Sequence, residues 1–390
     1  MRPMIKPAMR RTWRSRDTVQ FGVTPEQAVV VEQVDEGSAE LLDLLDGTRS
    51  LERLRTEAAR LGVSGRRVDR LLRVLGEGGV LDDAKATADA LHDLPPAERE
   101  RLRPDLSSLA MLHPAPGAGA ARFLGRAGAT VHVRGAGRVG AAVATVLAAA
   151  GIGRVEVTDS GRVEPWDISP CGMTVRERGL RRGAAARAAM RRTGTAVVRR
   201  GTRSRVGLVV LAPRDGLRAY TPEPLESRSL LDAGVPHLYA GVLEGTGFVG
   251  PLVVPRSSRW ACGECVTRHH GDADPAWPRI LTQLGSGRPG PLPACDVALS
   301  STVAGLAALH ALMFLDGGVP ASLGGRVEVS LADSGVIVRP VSPHPGCWGA
   351  RKPGHGRESV GSAPAVVRDQ QVTMEVDGGV AHQGAPPIGE

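Results

Sequence analysis

Aromatic residues are scarce, with two Tyr, four Phe and five Trp in 390 residues. That scarcity argues against a protein that stacks the bases of single-stranded nucleic acid on aromatic platforms. No apolar run approaches the roughly 20 residues needed to span a membrane. The basic N-terminal stretch MRPMIKPAMRRTWRSRD has no apolar signal-peptide core, so the chain reads as cytoplasmic. Cysteines are few and odd in number, five in all. Without an export signal they point to thiols or metal ligands rather than a disulfide frame. The net charge of +8 comes mostly from arginine. It fits either an acidic partner, such as a peptide or nucleic acid, or a genome that favours Arg and Ala; no compact basic block decides between them. What is present is a 42% hydrophobic, 23% charged globular composition, with length for two or three domains.

The stretch Thr130 to Asp159, TVHVRGAGRVGAAVATVLAAAGIGRVEVTD, organises the rest. An apolar run leads into Gly135-Ala136-Gly137-Arg138-Val139-Gly140, then an Ala/Val-rich segment of helical length, a second apolar run and Asp159. Strand, glycine turn, helix, strand and acid is the order of a nucleotide-binding βαβ unit. Gly135 permits the tight turn, Gly137 the approach of a phosphate, and Gly140 close packing of helix on strand. The helix N-terminus offers unpaired N–H groups to an anion. Asp159 stands where it can accept from ribose hydroxyls.

Residues 1–84 read as a small domain of their own. Thr18–Val23 and Ala28–Val34 are short and β-branched around Thr24-Pro25-Glu26, a hairpin pattern. Three short helical patterns follow, the second and third capped by Ser50 and Ser64, before a return at Val80-Leu81. Together they describe a winged helix-turn-helix. One use of that shape is DNA reading through Arg66, Arg67, Arg70 and Arg73. Another is peptide capture, an extended chain adding to a strand edge. Residues 85–128 read as a linker with a short helix starting near Pro95. Residues 129–350 form the α/β domain with a mostly parallel Rossmann-like sheet. Val206–Leu211 is expected to be its buried strand, and Val297–Phe314, capped by Asp296, a long helix. From Arg351 to the end the composition is Gly-, Pro- and Gln-rich, and reads as mostly disordered.

Cys262-Gly-Glu-Cys265 can grip one zinc ion, but a closed site needs four ligands. Cys347 and His344 complete the best set, with His269 competing for the fourth place. A pair of free thiols is the other reading. Cys171 and Cys295 stand alone.

These residues carry a resemblance. VEVTDSGRVEPWDIS is similar to the second-strand segment of the E1-like, ThiF/MoeB family of adenylating enzymes. PAMRRTWRSRDTVQFGV, LLDLLDGTRSLERL and VDRLLRVLGEGGVLDD resemble the peptide-recognition domain of ribosomal-peptide maturation systems, and CGECVTRHHGDADPAWP resembles a segment of the same systems. Together they resemble the TOMM precursor leader peptide-binding, or ocin-ThiF-like, family. The resemblance implies a chain that binds a precursor's leader peptide and delivers it to a YcaO-type cyclodehydratase, which carries the ATP chemistry that forms azoline or azole rings. It implies a homodimer and a structural zinc. The leader would meet the hairpin strands at Val29 and Val31 and the facing helix at Val68 and Leu71. Arg67 and Arg70 would meet acidic leader residues. No membrane is implied, and nucleic acid is not the favoured partner.

Measured against the adenylating pattern, several charge-handling positions differ. Gly161 replaces the second Asp of an Asp-x-Asp, and Asp167 an Asn. Pro170-Cys171 replace Arg-Gln, and Arg182 a Lys. Asp215 is the acid expected after the Val206–Leu211 strand. Gly135, Gly137, Gly140, Asp159 and Arg182 remain as candidate ATP-binding residues. A leader-binding scaffold with no catalytic residues is therefore favoured over a ThiF/MoeB-like adenylyltransferase. A nicotinamide-dependent dehydrogenase is supported by the glycine turn and acid alone.

Overall fold

The computed structural model describes residues 1–193, 206–255, 261–284, 292–348 and 372–375. They fall into two compact units, Met1–Leu124 with Ser362–Glu390, and Gly125–Gly361.

In the first unit, period-two alternation makes the strands. Val19 and Phe21 are buried on either side of half-buried Gln20. The strands are β1 (Pro3–Ile5), β2 (Arg11–Trp13), β3 (Val19–Phe21) and β4 (Val29–Glu32). Three helices follow, α1 (Glu36–Asp43), α2 (Leu51–Arg60) and α3 (Gly65–Glu77). Each has a side-chain cap, which satisfies one of the N–H groups a helix leaves unpaired at its start. Asp35 accepts from Ser38 N–H at 2.9 Å, Ser50 from Arg53 N–H at 3.3 Å and Ser64 from Arg67 N–H at 3.3 Å. Leu41, Leu42, Leu54, Ala58, Val68, Leu71 and Leu75 recur at helical spacing and form one core with Val19, Phe21, Val29 and Val31.

The chain then runs through β5 (Leu81–Asp83), which pairs antiparallel with β1. Helices α4 (Ala84–Leu91), α5 (Pro96–Leu112) and α6 (Ala118–Gly128) come next. The Ala/Gly run around Ala118 reads as a loop by composition, yet it starts a helix. Its glycine serves packing: a Cβ on Gly119 would lie 2.7 Å from the Ala110 amide nitrogen. The last strand, β13 (Val372–Glu375), pairs in parallel with β4 and makes a four-stranded sheet, β13-β4-β3-β2. It lies inside a stretch whose composition had suggested little order; residues 349–371 and 376–390 lie outside the described residues.

The second unit is an α/β fold. Its strands are β6 (Thr130–Arg134), β7 (Arg154–Thr158), β8 (Leu208–Leu211), β9 (His237–Leu243), β10 (Thr246–Val253), β11 (Gly325–Ser330) and β12 (Val336–Pro340). They form one seven-stranded sheet in the order β12-β11-β10-β9-β8-β6-β7. The sheet is parallel from β7 to β9 and antiparallel from β9 to β12, so the mostly parallel expectation holds for one end only. The antiparallel end starts at a tight β9–β10 turn, where Glu244 and Gly245 both take positive φ (50° and 80°).

Residues of β8 alternate between two cores. Leu208 and Val210 join α7 (Arg138–Ala149) and α13 (Val297–Leu315) on one face. Val209 and Leu211 join Tyr239, Phe248 and the cysteines on the other. Cover on both faces explains why VGLVVL is apolar throughout. Helix α13, capped by Asp296 at 2.9 Å, is long and apolar enough to cross a membrane by length and composition. This corrects the expectation that no apolar run approaches that length: Ser300, Ser301, Thr302 and His310 interrupt the run, while Leu299, Val303, Ala304, Ala307, Ala308 and Ala311 pack into the core. Edge strand β12 is exposed along its whole length.

Candidate functional site

The glycine turn sits between β6 and α7. Gly135 has φ +103°, and a Cβ there would strike the Ala212 carbonyl, so no other residue fits. A Cβ on Gly140 would strike the Gly135 carbonyl, which is the close helix-on-strand contact the motif predicts. At Gly137 the close neighbour is Arg214, whose Cα and Cγ lie 3.0 Å from where a Cβ would stand. Arg214 thus stands against the start of α7. The remaining cavity, lined in part by Gly137, Arg138, Trp166, Asp167, Arg214 and Cys295, holds about 40 Å³. Small-molecule sites run to several hundred Å³.

Asp159 turns both oxygens inward. It accepts from the amides of Ala136 (2.9 Å) and Gly161 (2.8 Å), and Arg182 grips it at 3.1 and 3.0 Å. Burial pushes its carboxyl upward, but Arg182 and the two amides prevail and hold it below the usual carboxylate range. Arg182 also donates to the Arg162 carbonyl at 3.0 Å, and its guanidinium fills the space beside Gly161. Asp167, 1% exposed, accepts from Arg214 Nε at 2.6 Å and from the Glu164 amide at 2.9 Å. Glu164 takes the other arm of Arg214 at 3.1 Å. Burial works against the Arg214 charge, but the two acids prevail and raise its value. The acid expected at Asp215 is exposed; the residue before it, Arg214, turns into the site. Sequence reading missed Arg214 and Glu164. The one available signal was an arginine abutting the expected acid in Leu211-Ala-Pro-Arg214-Asp215.

At the second constellation, Cys262 Sγ lies 3.7 Å from Cys265 Sγ and 3.4 Å from Cys347 Sγ. Two thiolates bound tetrahedrally to one zinc at ~2.3 Å would stand about 3.8 Å apart, close to these two separations, and all three sulfurs lie within 4.8 Å of one another. The Cys265 thiol is pulled down to about 3, chiefly by hydrogen bonds from Cys262 and Cys347 and then by amides of His344 and Cys262; Cys262 is pushed up in return. His344 does not complete the set. Its Nε2 pairs with Asp272 at 2.8 Å and its Nδ1 accepts from the Gly346 amide. Together with His269 it belongs to a separate group, His269–Asp272–His344. His269, the competing ligand, meets the Ser342 carbonyl at 3.0 Å. Cys171 is exposed and Cys295 half-buried, each apart from the cluster.

In the first unit the proposed peptide contacts divide. Val29, Val31, Val68 and Leu71 are core residues, none more than 5% exposed, so their side chains hold the domain together rather than line a surface. Arg67 is tied to Ser38 at 3.0 Å and to Asp35 at 3.1 Å. Arg70 is half-buried on the same helix. β4 itself is paired on both sides, by β3 and by β13.

Several solved structures share this fold. E. coli MccB matches with a TM-score of 0.65 at 15% identity, covering 90% of this chain and all of that one. A structure described as the microcin C7 biosynthetic enzyme MccB in complex with N-formylated MccA matches with a TM-score of 0.64 at 14% identity, over 89% and 99% of the two chains. The heterocyclase TruD matches with a TM-score of 0.59 at 18% identity, over 88% of this chain and 42% of that one. No curated protein sequence matches. The model of the ThiF family matches residues 124–349, more than half of the chain. With the glycine turn, Asp159 and the sheet in place, the chain belongs to the ThiF family.

Proposed function

We propose that this protein binds the leader segment of a ribosomally made precursor peptide and presents it to a YcaO-type cyclodehydratase. In this reading the first unit is a winged helix-turn-helix that recognises the leader, and the ThiF unit is a non-catalytic scaffold. The observation that carries it is the outer edge of β4, which pairs with an extended segment, residue by residue from Val29↔Val372 to Glu32↔Glu375. An edge that takes one extended segment has the backbone geometry to take another. The scaffold half rests on the glycine turn, where Arg214, Asp167 and Glu164 occupy the phosphate side. A similar fold solved in complex with the peptide MccA, and another solved as a heterocyclase, support a peptide partner. The working place is the cytoplasm and the working form a homodimer; Val297, Leu309 and Met313, exposed along α13, suit such a contact. Cys262, Cys265 and Cys347 would hold a structural zinc.

The test is a titration of the full chain with the labelled leader of a precursor encoded beside it. Saturable binding supports the reading, and its absence sinks it. A second reading, an ATP-dependent adenylyltransferase, is favoured by Arg138 at the start of α7, which lines the cavity beside Arg214. Two cations at a helix N-terminus suit a phosphate, and MccB has been solved with ATP. Peptide-dependent release of pyrophosphate would decide for that reading.

A further inference from the structure

Strand β13 is the feature that neither the glycine turn nor the thiol cluster uses. Val372–Glu375 belongs to the same compact unit as the β2–β4 sheet, though residues 33–371, about 340 of them, separate it from that sheet in sequence. It pairs in parallel with β4, in the register Val372↔Val29, Thr373↔Val30, Met374↔Val31, Glu375↔Glu32. β4 has β3 on its other side, so β13 consumes the one edge β4 has left. The segment around it, Gln370-Gln371-Val372-Thr373-Met374-Glu375-Val376, is short and bounded by Gly378-Gly379.

We propose that Val372–Glu375 is a tethered occupant of the peptide-docking edge, a latch that closes β4 until an incoming peptide displaces it. This rests on the peptide-binding reading of the first unit and adds its regulation. The physical basis is competition in one chain. A tether holds its segment at an effective concentration on the order of millimolar, so even a weak strand competes with a free peptide. A four-residue pairing is also short enough to be released, since two strands alone are marginal in water. The affinity an outside peptide shows is its intrinsic affinity reduced by the fraction of chains with the edge open. The latch therefore sets a threshold: short or weakly pairing peptides are refused, and a longer one that continues past the four residues wins.

The experiment compares the full chain with its T373P/M374P variant. Consecutive prolines remove two adjacent N–H donors, so whichever one faces β4 is lost. The probe is a fluorescein-labelled peptide of residues 368–380, followed by anisotropy, with amide exchange read at residues 29–32. The variant is expected to bind the probe about tenfold more tightly than the parent, and its β4 amides to exchange faster. A chain ending at Gly361 should behave like the proline variant, which guards against an effect of the substitutions themselves. Equal affinity and equal exchange in all three chains overturn the latch. So does protection of β4 that appears only as protein concentration rises, because the occupant would then come from a second copy. A labelled precursor leader separates this proposal from the reading beneath it. If the leader binds parent and variant equally, the latch fails and the leader reading stands. If the leader binds neither while the 368–380 probe still gains on the variant, the leader reading fails and the latch stands.

Discussion

At the glycine turn the chain fills its own cleft with side chains; at β4 it fills its own edge with backbone. The two fillings differ in how hard they are to remove. Asp159 and Arg182 face each other with side-chain exposures of 8% and 13%, and Asp167 is nearly inaccessible. Separating such pairs leaves buried charges without partners, which costs several kcal/mol. Four residues of β13 held by ladder bonds present no such barrier. The comparison teaches that buried ion pairs and a short backbone ladder differ in how hard they are to undo, and that burial of charge tells the two apart.

The comparison can be broken in four places, in order of size. Replacing Asp159 with Ala strands Arg182 and two amides, and should cost about 3–5 kcal/mol, read from denaturant midpoints. A loss under 1 kcal/mol would mean the pair is not structural and the cleft is open to ligands. Acid should act next, through His237 in β9. It is fully buried, and burial depresses its value from 6.5 to about 4. The unfolded chain therefore takes up the proton first as pH falls. Stability is whole above pH 6.5 and declines towards pH 4 by about 3 kcal/mol. His237→Leu should flatten that part of the pH–stability curve, while the β4–β13 ladder, which is backbone alone, keeps its amide protection until the first unit itself unfolds. Third, Arg214→Ala leaves Asp167 and Glu164 facing each other and should cost about 1–3 kcal/mol. Calorimetry with ATP and magnesium should show no binding to the variant or its parent; heat of binding in either would favour the adenylating reading. Smallest, Ser64→Ala removes the cap of α3 for about 1 kcal/mol without changing affinity for any peptide at the β4 edge.

Where local chemistry decides the structure, the sequence was legible. Ser50, Ser64 and Asp296 each cap the helix their position announces, and the glycine turn, α7 and Asp159 stand as the motif orders them. Partners far apart in sequence were not legible. The strand at Pro3–Ile5 exists because Leu81–Asp83 lies beside it. β13 exists because β4 does; its four residues, Val372–Glu375, carry no hydrophobic period long enough to register. At the site, the glycines were found by their spacing. Arg214 was not, because its role comes from Asp167 and Glu164, some 50 residues earlier in the chain. His344 was assigned to the thiols by its distance from Cys347 in sequence, yet its ring turns to Asp272.

Among the described residues, one end of the large sheet has no such guard. β12 closes the order at that end, and Val336, Ile337 and Val338 are each about half exposed on it. Arg339 and Pro340 blunt only its last two positions. In a concentrated stock this strand is where one molecule would template the next.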